Sequence, residues 1–452
     1  MTHLPFLARL EEAAMQLYSW TNNRQPIFWA AFCRAVSSTG FLSKMVDILA
    51  APQRAKADHA LRTLTAISIA HWLSHFHLFT LPMMFPFLKE QLGIGYIELG
   101  FALTVFGLVS GLTQAPIGYL ADHIGARKVL LAGLCLGGMS LVLLGLHLNY
   151  TSLLLCAALL GLANSVYHPA DYAILSAHMD EARMGRAFSI HTFAGFLGGA
   201  VAPAIMATLV ATIGGLGALM VAGAVGPAVA LLMIAMNLPD ASAADRKTNG
   251  ADAPKQNIIT PAIIMLTIFF MLLGLSNAGI GNFGVVALMS GYGVPFSTAN
   301  MALTAFLGAS AVGVLAGGFL ADRTQRHGQV AAACFAINAV IMLVIAIFAL
   351  PSPLLIALMT LAGFLGGVIA PSRDMLVRAA APPGAAGRAF GIVSTGFNFS
   401  GILAPLLYGF IMDQHMPHWV FGASVAFMLM TVLLALATDR KSQRPAEPAA
   451  VH

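Results

Sequence analysis

The sequence predicts an all-α polytopic membrane protein, and three observations carry this prediction. Of 452 residues, 58% are hydrophobic and only 9% are charged, whereas about 25% charged residues is typical of a soluble domain. The mean hydropathy is +0.82. Apolar runs of roughly 20 residues, the length that a helix needs to cross about 30 Å of hydrocarbon, recur along almost the whole chain.

These runs predict twelve transmembrane helices. They are placed at 64–87, 98–121, 129–148, 153–176, 187–211, 215–237, 259–283, 296–320, 329–350, 354–376, 389–412 and 418–437. The four cysteines lie far apart and predict neither a disulfide framework nor a zinc site. Residues 1–60 are an extension, in which the spacing of Leu7, Leu10, Ala14 and Leu17 suits a helix lying on the membrane surface.

The basic residues predict the orientation, because lysine and arginine in short loops are retained on the cytoplasmic side. If the N-terminus is inside, all of the 23 basic residues except Lys89 and Arg373 fall in cytoplasmic segments. Both termini are therefore expected in the cytoplasm. The same bias accounts for the net charge of +5, so no nucleic-acid partner is expected.

The two halves of the chain repeat each other. The sequence GYLAD begins at Gly118 and GFLAD begins at Gly318, an offset of 200 residues. The segments 185–203 and 387–405 both begin with GRAF and end with AP, at an offset of 202. A duplicated membrane unit places a substrate site where the repeats meet, and rocking of one repeat against the other gives alternating access.

The repeat predicts the domain organisation of a 6+6 protein. The parts are an N-terminal cytoplasmic or interfacial extension at 1–60, a six-helix bundle at 61–238, a cytoplasmic linker at 239–258, a second six-helix bundle at 259–438 and a tail at 439–452.

The sequence G-x-L-A-D-x-x-G-x-R-K between the second and third predicted spans resembles the signature of the major facilitator superfamily. Its copy in the second half lacks the basic pair. The histidines of the first span, the run LPMMFPFLKE, the following SGLTQ and the run YHPADYAILS resemble, within that superfamily, the fosmidomycin-resistance type of bacterial efflux protein. This resemblance implies efflux of a drug-like or phosphonate-like anion.

The superfamily resemblance also implies a gating role for the motif. Asp122 would meet the start of the eleventh span and Asp322 the start of the fifth, closing the cytoplasmic side; a static loop anchor is the alternative. The expected gating residues are Gly118, Asp122, Gly125, Arg127, Lys128, Gly318, Asp322, Arg186 and Arg388.

Ionisable groups inside spans are costly, so each is a candidate for substrate binding or proton coupling. Asn164, His168 and Asp171 share one face of the fourth span. The repeat relates Asp171 to Arg373, so these two residues are expected to face each other and to pair. Arg373 would otherwise bind an anionic substrate, or be satisfied locally by Asp374. A plain structural ion pair is a further alternative.

Three histidines interrupt the first span. His71 and His75 are four residues apart and share a face, so they are expected to line a cavity and carry a proton, since imidazole titrates near neutral pH. Binding of an anion by the charged imidazoles, and interhelical hydrogen bonding, are the alternatives. His77 points elsewhere and is expected to form an interhelical hydrogen bond. Because the candidate metal ligands are spread over separate helices and show no recognised metal-binding spacing, no metal is expected. Lesser candidates for the cavity lining are Gln114, His191, Asn277, Asn282 and Asn398.

The leading functional hypothesis is a secondary transporter of the bacterial inner membrane that exports a small organic solute in exchange for protons. No phosphate-binding G-x-x-x-x-G-K-[ST] loop is present, which argues against an ATP-driven pump. No enzymatic activity and no cofactor are expected. The expected partners are a small-molecule substrate, protons and the lipid bilayer. Alternatives are proton-coupled uptake of a metabolite, and a sensor without transport that uses residues 1–60.

Overall fold

The fold is described here from a computed structural model. It describes residues 41–179, 181–240, 259–324, 326–381 and 386–442, with side chains from His59 onward; the side chains of 181–183, 185–186, 322, 386–388 and 437–442 are also outside the description. The chain divides into two compact units, Met1–Leu61 and Arg62–His452. All side-chain contacts described below lie in the second unit. The surface helix predicted near Leu7 lies outside the described residues.

The described chain is helical. Its helices are α1 (Phe41–Met83), α2 (Phe85–Leu92), α3 (Tyr96–Ile124), α4 (Ala126–Leu146), α5 (Tyr150–His178), α6 (Glu181–Ala235), α7 (Pro261–Ala278), α8 (Gly284–Tyr292), α9 (Phe296–Arg323), α10 (His327–Ile347), α11 (Ser352–Ala380), α12 (Ala386–Asp413) and α13 (His418–Ser442). A π-helical turn, Gly279–Phe283, joins α7 to α8. The all-α prediction is confirmed.

Within the described ranges, ten helical stretches are long and apolar enough to cross a membrane, against twelve predicted spans. One stretch, Ala187–Ala235, contains the fifth predicted span and all but the last two residues of the sixth. Gly214 breaks it with φ 75° and ψ 170°, a backbone conformation that glycine adopts without steric cost. The break lies in the short link predicted between these spans.

The first predicted span, 64–87, is not among the ten stretches. Its three histidines and several hydroxyl residues lower its hydropathy. The helix also ends at Met83 instead of running on to 87, and α2 begins at Phe85 with a proline in its first turn. Proline is favoured there because its missing N–H would have no intrahelical partner.

The helix contacts follow the sequence repeat. α3 packs along α12, and α9 packs along α6. The repeat offsets relate α3 to α9 and α6 to α12, so these two contacts are equivalent under the repeat. Other large contacts join α3 to α5, α4 to α6, α9 to α11, α7 to α12 and α10 to α13. Among the described helices, the α3–α5 and α9–α11 contacts form a second repeat-related pair.

Two glycines mark repeat-related close approaches of backbone to backbone. A Cβ added at Gly161 of α5 would overlap the carbonyl oxygen of Phe106 in α3, and one added at Gly363 of α11 would overlap that of Phe306 in α9. Small residues allow helices to pack this closely in lipid, where no hydrophobic force joins them. These contacts hold α5 on α3 and α11 on α9.

We expect Gly363→Ala to destabilise the protein by about 1–3 kcal/mol, the usual cost of overpacking a tight interface. The melting temperature of the purified protein in detergent measures the effect. Gly308→Ala on α9 is the matched control, because a Cβ there meets open space and alanine favours the helix. Equal melting temperatures for the two variants would contradict the close approach.

Candidate functional site

A buried carboxylate lies between two imidazoles contributed by different helices. Asp171 Oδ2 of α5 is 3.8 Å from His71 Nδ1 of α1 and 3.6 Å from His191 Nε2 of α6. The relative exposure of Asp171 and His191 is 0%, and that of His71 is 4%. These three residues are called the Asp171 cluster below.

Glycines of α6 allow α1 to approach closely enough to form the cluster. A Cβ added at Gly195 would collide with the rings of His71 and His75, and one added at Gly198 would overlap the carbonyl oxygen of Trp72. The histidine face of α1 is therefore accommodated by a glycine face of α6. The sequence shows these glycines but not which helix they pack against.

Further aromatic rings surround the cluster. The ring of His71 stacks on that of His191 at 4.0 Å between centroids and makes edge contacts with His75 at 4.7 Å and His168 at 5.5 Å. Tyr172 of α5 lies next to His168 and His191, at 5.7 and 5.9 Å. The structure thus brings His71, His75, His168 and Asp171 together, and their role as a cavity lining stays a prediction.

Five of the six polar side-chain atoms of the cluster lack hydrogen-bond partners within the described part of the chain. This holds for both carboxylate oxygens of Asp171, for Nδ1 of His71 and for both ring nitrogens of His191. Burying such groups unpaired is expensive, and burying a net charge more so. The least costly state carries one shared proton, with either a neutral carboxyl group or a carboxylate beside one imidazolium. The geometry therefore suits taking up and releasing a proton.

The same atoms form a potential donor set for a metal ion. One donor atom each from His71, Asp171 and His191 lies within 4.8 Å of the others, and two imidazoles with one carboxylate is a set that divalent transition metals accept. The sequence predicted no metal, because the three residues come from three helices and form no recognisable spacing. His191 was only a lesser candidate in the sequence, and its place in the cluster is the main residue-level finding.

The predicted pair between Asp171 and Arg373 is not formed. Arg373 Nε donates a hydrogen bond of 2.8 Å to Asp374 Oδ1, the neighbouring residue. Its guanidinium also lies over the rings of Phe270 and Phe397, at 4.8 and 5.4 Å. The local alternative is therefore the one the structure has, because a carboxylate one residue away reaches the guanidinium without crossing between helices.

Other predicted residues have structural roles. His77 Nε2 makes a hydrogen bond of 3.1 Å with the carbonyl oxygen of Ala222 on α6, which confirms the interhelical prediction. Asn164 donates to Ser110 Oγ of α3 at 2.9 Å, so its amide is used to join helices. Asn398 packs on α3 beside Gly111.

The gating motif lies at one end of the helices, called the motif end below. Gly118 faces Pro169 of α5, and Gly125 has φ 103° at the turn from α3 to α4. The carboxylate of Asp240 accepts a hydrogen bond of 3.0 Å from the backbone N–H of Arg127. Sequence reasoning missed Asp240, which stabilises the positive N-terminus of α4.

Asp122 and Lys128 are exposed at the same end, and open space surrounds Gly318. The side chains of Arg186, Asp322 and Arg388 lie outside the described residues, so the gating contacts stay predictions.

The opposite end of α3 is capped by a residue of α12. Asp413 accepts hydrogen bonds from the backbone N–H groups of Tyr96 and Ile97, at 2.8 and 2.7 Å. A carboxylate at a helix N-terminus pairs with orphan N–H donors and with the helix dipole. This capping contact, called the Asp413 cap below, joins two helices that come from opposite halves of the sequence repeat.

Comparison with known proteins identifies two curated relatives, one named for fosmidomycin resistance and one described as an MFS-type transporter. The Fosmidomycin resistance protein of Escherichia coli (strain K12) is 30% identical over 61% of this chain and 69% of its own length. The uncharacterized MFS-type transporter YfnC of Bacillus subtilis (strain 168) is 27% identical over 58% of this chain and 65% of its own length. The chain thus spans about two thirds of the length of these curated relatives.

The fold also matches a solved transporter structure. A bacterial homologue of the human lysosomal transporter Spinster superposes with a TM-score of 0.69 at 14% identity, covering 86% of this chain and 99% of that one. YfnC and this structure are described as transporters. Together with the family match that follows, this confirms the prediction that the chain is not an enzyme. The model of the Major Facilitator Superfamily matches residues 67–292 and 264–451. Together with the all-helical fold and the repeated motif, this match shows that the chain belongs to the Major Facilitator Superfamily of membrane transporters.

Proposed function

We propose that the protein is a secondary transporter of the bacterial inner membrane that exports a drug-like or anionic organic compound in exchange for protons. The Asp171 cluster is the observation that carries this proposal. It is a set of titratable groups, buried within the helices, that can bind one proton at low electrostatic cost. The relative named for fosmidomycin resistance supports export as the direction and an antibiotic-like compound as the class of substrate.

Alternating access supplies the mechanism. The α3 contact with α12 and the α9 contact with α6 are the two seams along which the halves would rock. With both termini in the cytoplasm, the motif end faces the cytoplasm and the Asp413 cap faces the periplasm. The cap then holds the periplasmic side closed, and the motif residues hold the cytoplasmic side closed in the opposite state.

Proton exchange follows from the electrostatics of the cluster. In the periplasm-facing state a proton binds, and a neutral carboxyl group or an ion pair allows the site to be buried again. In the cytoplasm-facing state the proton leaves, and the charged cluster then requires water or a ligand. The proton therefore moves inward while the organic compound moves outward.

Uptake of a metabolite uses the same physics with the opposite coupling, because the gradients set the direction of transport. A non-transporting sensor would not need a buried acid without hydrogen-bond partners. The cluster therefore favours transport over sensing.

Asp171→Asn should abolish proton-coupled transport and leave passive movement of substrate down its gradient, because an amide cannot exchange a proton. Inverted vesicles with an acidic lumen and a pH-sensitive dye measure the coupling. They are challenged with fosmidomycin, other organic anions and lipophilic cations. Dequenching by the wild type and none by the variant is the expected result.

His77→Asn is the matched control, because His77 lies on the same helix as His71 but is held by a backbone carbonyl group. This variant should keep the dye response. Adding a chelator should leave the wild-type response unchanged, which separates proton binding from metal binding at the cluster. A normal response of Asp171→Asn would refute the proposed coupling site.

Asp413→Ala should shift the protein toward the state that is open on the predicted periplasmic side. Caps of this kind contribute about 1–2 kcal/mol, which changes the ratio of the two states by roughly 5- to 30-fold. Spin labels at the exposed positions Gln91 and Gln414, in a background without cysteines, report the separation by pulsed electron resonance. A longer distance in the variant is expected.

Glu98→Ala is the control for this experiment, because Glu98 is also a carboxylate in the first turn of α3. Its distance distribution should match that of the wild type. Identical distributions for Asp413→Ala and the wild type would show that the cap does not hold this end closed.

A further inference from the structure

Arg373 occupies an aromatic setting formed by three helices of the second half. Its guanidinium, on α11, lies over Phe270 of α7 at 4.8 Å and Phe397 of α12 at 5.4 Å. The two rings contact each other at 4.9 Å. A guanidinium over aromatic faces is held in place by cation–π attraction. The rings therefore fix the charge without neutralising it.

The acid that neutralises Arg373 is weakly held. The Asp374 side chain is 46% exposed, whereas that of Arg373 is 19% exposed. A pair with so exposed a partner contributes little to stability, because water competes for the carboxylate. Within the described residues, the only hydrogen bond of this guanidinium uses Nε. An arginine has five N–H donors, so its terminal nitrogens have capacity for a second oxyanion.

Tyr172 connects this site with the Asp171 cluster. Its ring lies next to His168 and His191, and its hydroxyl group is within electrostatic range of both Asp171 and Asp374. Although its ring packs edge-on against Phe188 at 5.0 Å, the residue remains 43% exposed.

We propose that Arg373 binds the acidic group of the transported compound, and that Asp374 pairs with Arg373 until the compound displaces it. The ligand class is a carboxylate or phosphonate attached to a planar apolar body. The acidic group would form a two-pronged bond with the guanidinium, and the apolar body would pack on Phe397 and Tyr172, which are both only partly buried. This inference rests on the proposed transport function and names its substrate site.

The charge of Arg373 is compensated both before and after the compound displaces Asp374. An empty site keeps its arginine neutralised by Asp374, so no unpaired charge faces the interior. An entering oxyanion releases Asp374 to water, which solvates it at little cost because the side chain is already half exposed. The site therefore selects for negative charge through competition with its own carboxylate.

Equilibrium binding to the full-length protein in detergent tests the proposal. The probes are phenylphosphonate, methylphosphonate, which lacks the ring, and benzyl alcohol, which lacks the charge. Phenylphosphonate should bind most tightly. Arg373→Ala should weaken its binding by roughly tenfold or more, the value of a charge-assisted hydrogen bond. Arg378→Ala, an exposed arginine on the same helix, should leave it unchanged.

The Asp374→Asn variant distinguishes a competing carboxylate from a purely structural ion pair. Removal of the competing carboxylate should tighten phenylphosphonate binding by a few fold, which a purely structural ion pair would not do. Weaker or equal binding in this variant would overturn the role of Asp374 as a place-holder, whether or not Arg373→Ala folds. Equal binding of phenylphosphonate and benzyl alcohol by the wild type would overturn the anion site.

The outcome is independent of proton coupling, because binding is measured without a pH gradient. Failure of the dye assay with intact phenylphosphonate binding would reject only the proposed coupling at Asp171. Intact coupling with no phenylphosphonate binding would reject only the anion site.

Discussion

The cost of placing charge among apolar helices is the constraint on which the rest of this structure depends. Only 9% of the residues are charged, and those inside the helices are compensated nearby. Asp171 lies against two imidazoles, and Arg373 lies against a carboxylate and two aromatic rings. In the mechanism we propose, each arrangement holds one element that is exchanged, a proton in the first and a carboxylate in the second.

The repeat explains why the two sites differ. Duplication gives equivalent seams, α3 with α12 and α9 with α6, but it does not require equivalent side chains. At the repeat-related positions the first half carries Asp171 and the second carries Arg373. In the mechanism we propose, the acid of one half binds protons and the base of the other binds an organic anion. The backbone symmetry supports the movement, and the side-chain asymmetry supports the chemistry.

Sequence reasoning predicted the helices well because hydropathy and helix length are local properties. The spans from 98 to 437 agree with the structure to within a few residues, except for the seventh, which runs on through a π-turn to Tyr292. The first span was harder to recognise as a membrane helix, since its histidines lower the same signal that defines a span. Those histidines belong to the candidate site, so hydropathy predicts this span least clearly because it carries residues of the site.

The candidate site was predicted only in part, because a site is a contact between helices. His71 and Asp171 were identifiable singly as costly buried groups. Their contact through His191 depends on how α6 approaches α1, which the glycines at 195 and 198 permit but do not reveal. The capping role of Asp413 likewise joins residues more than 300 positions apart. By contrast, Arg373 bonds to its sequence neighbour Asp374. The repeat in the sequence favoured Asp171 as its partner.

The break at Gly214 gives α6 a mechanical property. His191 lies 23 residues before this joint, so the intervening helix is a lever of roughly 35 Å at 1.5 Å per residue. A swing of about 5° at the joint displaces the far end by roughly 3 Å. That displacement compares with the 3.6 Å that separates His191 from Asp171. A small turn about this one glycine would therefore be enough to separate His191 from Asp171.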